Sequence, residues 1–218
     1  MPFDPIPETM TELCRAAPDG FRAVELGCGD GGLLARLRQC GVWCAGLDLA
    51  PRALARAVDV RGDARRPPLR AASLDLVVAA NLVRHLISAD PRLRFLDAWL
   101  GLLRPGGSVF VLEDEPSAEP AAANHRDLQA FLARLFPDGR GPLVARDAFV
   151  RALPDHLSAR VAGTAVGANA SRQDAQAAIA MLERGNPEAG GEAARLLAAI
   201  RLHGLACGRM WWLQLRAE

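Results

Sequence analysis

The chain has 218 residues, 50% of them hydrophobic and 23% charged, and 26 basic residues nearly balance 25 acidic ones for a net charge of +1. That length suits one domain with its own core, and that balance excludes a chain disordered by composition or a polyelectrolyte. Every basic residue is arginine and tyrosine is absent, which removes Schiff-base lysines, a P-loop lysine and a tyrosine–lysine reductase pair.

Residues 22–26 read as a strand, and residues 31–39 follow as a helix with Leu33, Leu34 and Leu37 on one face before Gly41 stops it. Residues 42–49 form the next strand. Pro51 then opens a helix with Leu54, Ala57 and Val58 on its apolar face, and a short run at 58–60 ends in Arg61-Gly62-Asp63. The continuous apolar run 74–80 is typical of a strand buried on both faces. Asp90-Pro91 opens a helix carrying Leu93, Leu96, Leu100 and Leu103, and Arg104-Pro105-Gly106-Gly107 turns into a strand at 108–112. Strands alternating with helices imply a parallel sheet covered on both faces.

After Glu113 the texture changes. A proline-, alanine- and acid-rich loop at 114–123 leads to a helix at about 125–136, a second turn at 137–142, and a short helix near 146–153. Residues 158–166 alternate like a strand. A capping box at Ser171 to Asp174 starts an alanine-rich helix to about Glu183, residues 192–203 make another, and 210–215 close the chain as a strand. Trp211 and Trp212 point to opposite faces of that strand, so core packing is expected for both. Asn169-Ala-Ser171 matches a glycosylation acceptor but is idle in a cytoplasmic protein.

The five cysteines (Cys14, Cys28, Cys40, Cys44 and Cys207) are odd in number and lack paired spacing, which points to reduced thiols rather than disulfides or structural zinc. No stretch approaches the ~18–20 apolar residues of a membrane span, and no leader pattern opens the chain, so a cytoplasmic location is expected. The near-zero charge disfavours a nucleic-acid partner. Arg65, Arg66 and Arg70 are the one local exception, and they read as a solvated turn because prolines interrupt them and no aromatic residue is interleaved.

The densest motif is Val24-Glu25-Leu26-Gly27-Cys28-Gly29-Asp30-Gly31-Gly32. A glycine-rich turn between strand and helix lets a ligand approach the backbone and aims unpaired N–H groups at it. Gly27, Gly29 and Gly32 also satisfy the spacing of dinucleotide folds, so the loop alone is ambiguous. Asp48 ends the second strand about twenty residues on, where a carboxylate accepts hydrogen bonds from both hydroxyls of a ribose.

Further motifs follow in one order: Gly46-Leu47-Asp48-Leu49, Arg61-Gly62-Asp63-Ala64, Ser73-Leu74-Asp75-Leu76-Val77-Val78 and Leu103-Arg104-Pro105-Gly106-Gly107. The series resembles the class I S-adenosylmethionine-dependent methyltransferases, most closely the type 11 or UbiE-like small-molecule branch, over residues 22–113. The resemblance implies a Rossmann-like α/β three-layer sandwich with a seven-stranded, mostly parallel sheet. Its last strand would be inserted antiparallel, with helical additions after strands five and six. One domain would span 1–218, with an N-terminal segment to residue 21, a cofactor half at 22–113 and a substrate-side half at 114–218.

By that resemblance Glu25 and the loop of Gly27, Cys28, Gly29 and Gly31 face the methionine part of S-adenosylmethionine, with Glu25 on its amino group. Asp48 holds the ribose and Leu49 packs on the adenine. Asp63 accepts from the adenine amine with the Ala64 backbone beside it, and Asn81 lines the methionine end. Cysteine is common at position 28 of such loops, so Cys28 has no redox or nucleophilic role. The product is S-adenosylhomocysteine, no metal is required, and the partner is a small-molecule methyl acceptor. The basic turn after Asp63 and the roughly forty residues between the last two strands depart from the family pattern and bear on the acceptor. Monomer and dimer are both compatible with the sequence.

Methyl transfer from a sulfonium needs alignment and exclusion of water more than reactive side chains. An acceptor bearing O–H or N–H also needs a base, and without lysine or tyrosine that leaves histidine or carboxylate. His85, four residues after Asn81, is the best-placed candidate, with a packing role at the site edge as the other reading; His125 is a second. Two other functions stay open at this point: a methyltransferase-like cofactor-binding module without transfer, and an NAD-dependent oxidoreductase. The Pro105 turn and Asp63 speak against the latter.

Overall fold

The computed structural model describes residues 8–49, 58–87, 90, 92–135, 141–168, 175–185, 191–206 and 209–218. The helix expected after Pro51 and the capping box at Ser171 lie outside these residues. Seven strands form one sheet in the order β3-β2-β1-β4-β5-β7-β6. They are β1 (Arg22–Leu26), β2 (Trp43–Asp48), β3 (Val60–Arg61), β4 (Leu74–Ala80), β5 (Leu103–Asp114), β6 (Val161–Ala168) and β7 (Arg209–Arg216). The strands β1 to β5 pair in parallel, while β7 runs antiparallel to both β5 and β6. The expected inserted, reversed last strand is therefore present.

Between the strands run α1 (Glu8–Arg15), α2 (Gly32–Gln39), α3 (Val83–Leu86), α4 (Arg94–Leu100), α5 (Pro120–Leu135), α6 (Arg146–Arg151), α7 (Asp155–Ser158), α8 (Ala175–Gly185) and α9 (Glu192–His203). The sequence pattern placed most of these, but α1, α3 and α7 were not anticipated. Leu103, expected on the helix face, instead starts β5 and pairs with Leu74; a register shift follows before Leu76 meets Ser108. The proline-glycine turn is thus a bulged entry into the strand rather than a separate loop.

Alternation along the strands divides the core in two. One face carries Val24, Leu26, Val77, Val109, Val111 and Trp211 against Phe95, Leu96 and Trp99 of α4 and Phe149 of α6. The other carries Ala23, Leu76, Val78, Phe110 and Leu112 against Met10 and Cys14 of α1 and Leu33, Leu34 and Leu37 of α2. A third cluster joins Leu128 and Leu132 of α5 with Leu182 of α8 and Leu196 and Ile200 of α9. Asn124 donates to the carbonyls of Ala199 and Gly204 at 3.0 and 2.9 Å, pinning α5 to the end of α9.

The adjacent tryptophans fall on opposite faces as the alternation requires. Trp212 sits near Phe110 with ring centroids 6.1 Å apart, whereas Trp211 is fully buried 5.2 Å from the Phe149 ring. Trp211 Nε1 also donates to the Val144 carbonyl at 2.7 Å, tying the segment 141–145 to the sheet. Trp211→Ala should lower stability by about 3–5 kcal/mol, since it opens a cavity and orphans that carbonyl. Urea unfolding measures this, and a loss below ~1 kcal/mol would contradict the packing described.

Candidate functional site

Six strands run the same way, so the turns that follow β1, β2 and β4 gather at one sheet edge. After Leu26 the chain reverses through Gly27, Gly29 and Gly31 at φ of 67°, 52° and 80°. At Gly27 the requirement is double, because an added Cβ would also lie 2.8 Å from Leu82 Cδ1. The N–H groups of Gly27 and Cys28 both donate to the Leu47 carbonyl, at 2.7 and 3.1 Å. Asp48 Oδ2 accepts the Gly29 N–H at 2.9 Å, so the loop and the end of β2 form one unit.

Glu25, the penultimate residue of β1, is 3% exposed, and its Oε2 has no hydrogen-bond partner among the described residues. Burial pushes its carboxyl up to about 8, and the Leu34 backbone N–H only partly offsets this. A buried acid with one bare oxygen behind a glycine turn is costly unless a partner pairs with it. Cys28 is buried, and desolvation, reinforced by Glu25, holds its thiol up at about 12, which leaves it protonated and unreactive.

Leu49, beside Asp48, is 58% exposed and offers a flat ligand an apolar surface. Asp63 faces Arg65, whose Nε lies 3.1 and 3.0 Å from its two oxygens and whose Nη2 lies 2.7 Å from Oδ2. These bonds hold the Asp63 carboxyl below the usual range. The Ala64 carbonyl accepts Trp99 Nε1–H at 2.6 Å, which fixes the turn from below. Asn81 follows β4 at a φ of 53°, a left-handed conformation that asparagine tolerates better than most residues. Its Oδ1 accepts the Asp114 N–H at 3.2 Å, joining the ends of β4 and β5. These sequence-expected residues thus stand on the turns of one sheet edge. Contrary to the expectation of unpaired donors, the N–H groups of Gly27, Cys28, Gly29, Gly31 and Gly32 are all donated within the protein. The fit to an amino-acid-bearing nucleoside therefore rests on the buried Glu25 carboxyl and the exposed Leu49.

His85 lies in α3. Its Nδ1 accepts the Gly141 N–H at 3.0 Å, and Arg84 Nε points at Nε2 from 3.3 Å. A neutral imidazole has one lone pair, and in either tautomer a donor already faces it. Gly141 has no alternative here, because a Cβ would fall 1.7 Å from the Arg84 carbonyl oxygen.

Three residues that sequence reasoning did not single out complete the edge. Glu113 is fully buried, and burial pushes its carboxyl up to about 7 despite nearby Arg84. It accepts the Arg84 N–H at 3.3 Å, and Arg84 Nη1 lies 3.7 Å from Asp114 Oδ2. The available signal was an acid pair ending the apolar run of β5 at the carboxyl edge of a parallel sheet. Among the described residues no helix is long and apolar enough to cross a membrane.

A methyltransferase-domain family model matches residues 24–111. No curated protein sequence matches the chain. Among solved structures, YcgJ of Bacillus subtilis superposes with a TM-score of 0.62 at 13% identity, covering 97% of each chain. A methyltransferase of Methanosarcina mazei gives 0.61 at 11% identity over 98% of each chain. One from Archaeoglobus fulgidus, likewise dependent on S-adenosylmethionine, gives 0.56 at 14% identity over 98% of this chain and 96% of that one. At such identities the likeness establishes the fold, which matches the Rossmann-like sandwich expected from the motifs. The matched residues 24–111 run from β1 into β5, so this part of the chain is similar to methyltransferase domains and consistent with a class I S-adenosylmethionine-dependent methyltransferase of the type 11 kind.

Proposed function

We propose that the chain transfers the methyl group of S-adenosylmethionine to an oxygen, nitrogen or carbon of a small molecule and releases S-adenosylhomocysteine. The observation that carries the cofactor placement is Glu25, a buried carboxylate whose Oε2 has no hydrogen-bond partner among the described residues. Glu25 holds the amino group, the turn at Gly27, Cys28, Gly29 and Gly31 accommodates the methionine part, and Asn81 borders it. Asp48 receives the ribose hydroxyls while keeping the loop in place through Gly29. Leu49 covers the adenine, with the Ala64 backbone at its edge. Asp63 takes the adenine amine in exchange for one contact of its exposed pair with Arg65, which costs little. Bound there, the cofactor supplies a methyl group already activated as a sulfonium, so the protein's task is alignment and exclusion of water.

The small-molecule acceptor is supported by charge. The net charge is +1, and Arg65, one of the three arginines in the basic turn, is paired with Asp63. That leaves a weak field for a phosphate backbone. A thermal shift with S-adenosylhomocysteine, compared with NAD, tests the reading. Near 100 Kd of ligand the stabilisation should be ~2.7 kcal/mol, or about 5–10 °C. A shift with NAD and none with S-adenosylhomocysteine would overturn it.

The sign of the Glu25 shift gives a second outcome. With its carboxyl at about 8, Glu25 holds its proton near neutrality in the ligand-free protein. An ammonium partner favours the ionised form, so binding expels a proton. Affinity for S-adenosylhomocysteine should therefore rise between about pH 6 and about pH 8, by up to ~tenfold per unit. Calorimetry in buffers of different ionisation enthalpy should record the released proton. Glu25→Gln should flatten the profile and weaken binding at about pH 8 by ~10–100-fold.

A further inference from the structure

Beyond Asn81 lies a buried polar cluster that the cofactor site does not use. Arg84, Glu113, Asp114 and His125 converge where β4 and β5 end and α5 begins. His125 is 3% exposed, and its Nε2 lies 3.3 Å from Asp114 Oδ2; Arg84 Nη1 lies 3.7 Å from the same oxygen. Three atoms of the cluster are buried with no hydrogen-bond partner among the described residues: Arg84 Nη1, Glu113 Oε2 and His125 Nδ1. Buried polar atoms are almost always paired, so three orphans around one carboxylate mark a place that calls for a polar occupant. The Asn81 side chain, which accepts the Asp114 N–H, ties this place to the expected methionine end.

The tautomer of His125 follows from its partner. An ionised carboxylate only accepts, so Nε2 carries the proton toward Asp114 and Nδ1 presents a bare lone pair. This is the arrangement of an oriented base, whose protonated form the same carboxylate stabilises. His85 differs, since a donor faces each of its ring nitrogens.

We propose that His125, held by Asp114, takes the proton of the methyl acceptor. The acceptor is a neutral O–H or N–H compound whose polar head pairs with Arg84 Nη1, Glu113 Oε2 and His125 Nδ1; this rests on the cofactor placement above. The acceptor heteroatom forms the bond to the methyl carbon as the carbon–sulfur bond breaks, with that electron pair staying on sulfur. The acceptor proton passes to His125 Nδ1, and Asp114 neutralises the imidazolium until solvent removes the proton. Asp114 is a positioning residue and His125 a catalytic one.

Two measurements test this. Transfer of labelled methyl to phenol and to aniline should fall ~100-fold or more in His125→Asn and in Asp114→Asn, with S-adenosylhomocysteine affinity within ~twofold of wild type. Undiminished transfer in either variant overturns the assignment. Independently of turnover, and of whether Asp114→Asn folds, nitrogen-15 imidazole spectra of the wild-type S-adenosylhomocysteine complex should show His125 protonated at Nε2 and bare at Nδ1. Adding phenol should shift the Nδ1 resonance. A protonated Nδ1, or a resonance unmoved by phenol and by aniline, overturns the proposal even if neither probe is methylated. A wild-type chain that does not bind S-adenosylhomocysteine would overturn the cofactor site itself, an outcome distinct from the others.

Discussion

Because β1 to β6 share one direction, the turns that follow them gather at the carboxyl edge of the sheet. Strand polarity therefore decides which candidate residues stand together. Glu25, Asp48, Asn81, Glu113 and Asp114 all sit at or next to a strand's last residue, although the first and last are 89 positions apart in the sequence. The reversed β7 keeps this arrangement intact. It lies between β5 and β6 and pairs with β5 from Ser108 to Asp114, away from the β1–β4–β5 part of that edge.

The same constraint explains what the sequence made legible. A strand buried on both faces reads as an apolar run, which is why 74–80 and the Trp211–Trp212 alternation were placed correctly. The candidate residues of the first half could be located because they sit within one turn of such runs. The polar cluster was not, because it depends on three-dimensional convergence: Glu113 meets Arg84 from 29 positions away and His125 meets Asp114 from 11. Helix α1 escaped notice for a different reason. Its buried Met10 and Cys14 recur at helical spacing, but the span is eight residues, flanked by prolines that read as loop. Leu103 satisfied a helical period and a strand equally well, and pairing with Leu74 decided between them.

Burial at this edge is achieved against the interests of stability. Glu25 is raised to about 8 and Glu113 to about 7, both chiefly by desolvation. An acid whose folded value exceeds its unfolded one holds more protons when folded, so folding stability falls as pH climbs from about 4.5 through those values. An apolar residue at either position would avoid that cost. Glu113 recovers part of it by accepting the Arg84 N–H at the start of α3. Glu25 recovers less, since one oxygen has no partner among the described residues. Carboxylates kept in such places, one behind the glycine turn and one beside the Asp114–His125 pair, are the residues for which packing alone offers no reason. On the function proposed above, ligand charge and ligand polarity supply that reason, and the two places would correspond to the two halves of a group-transfer site: one that holds the donor and one that receives from it.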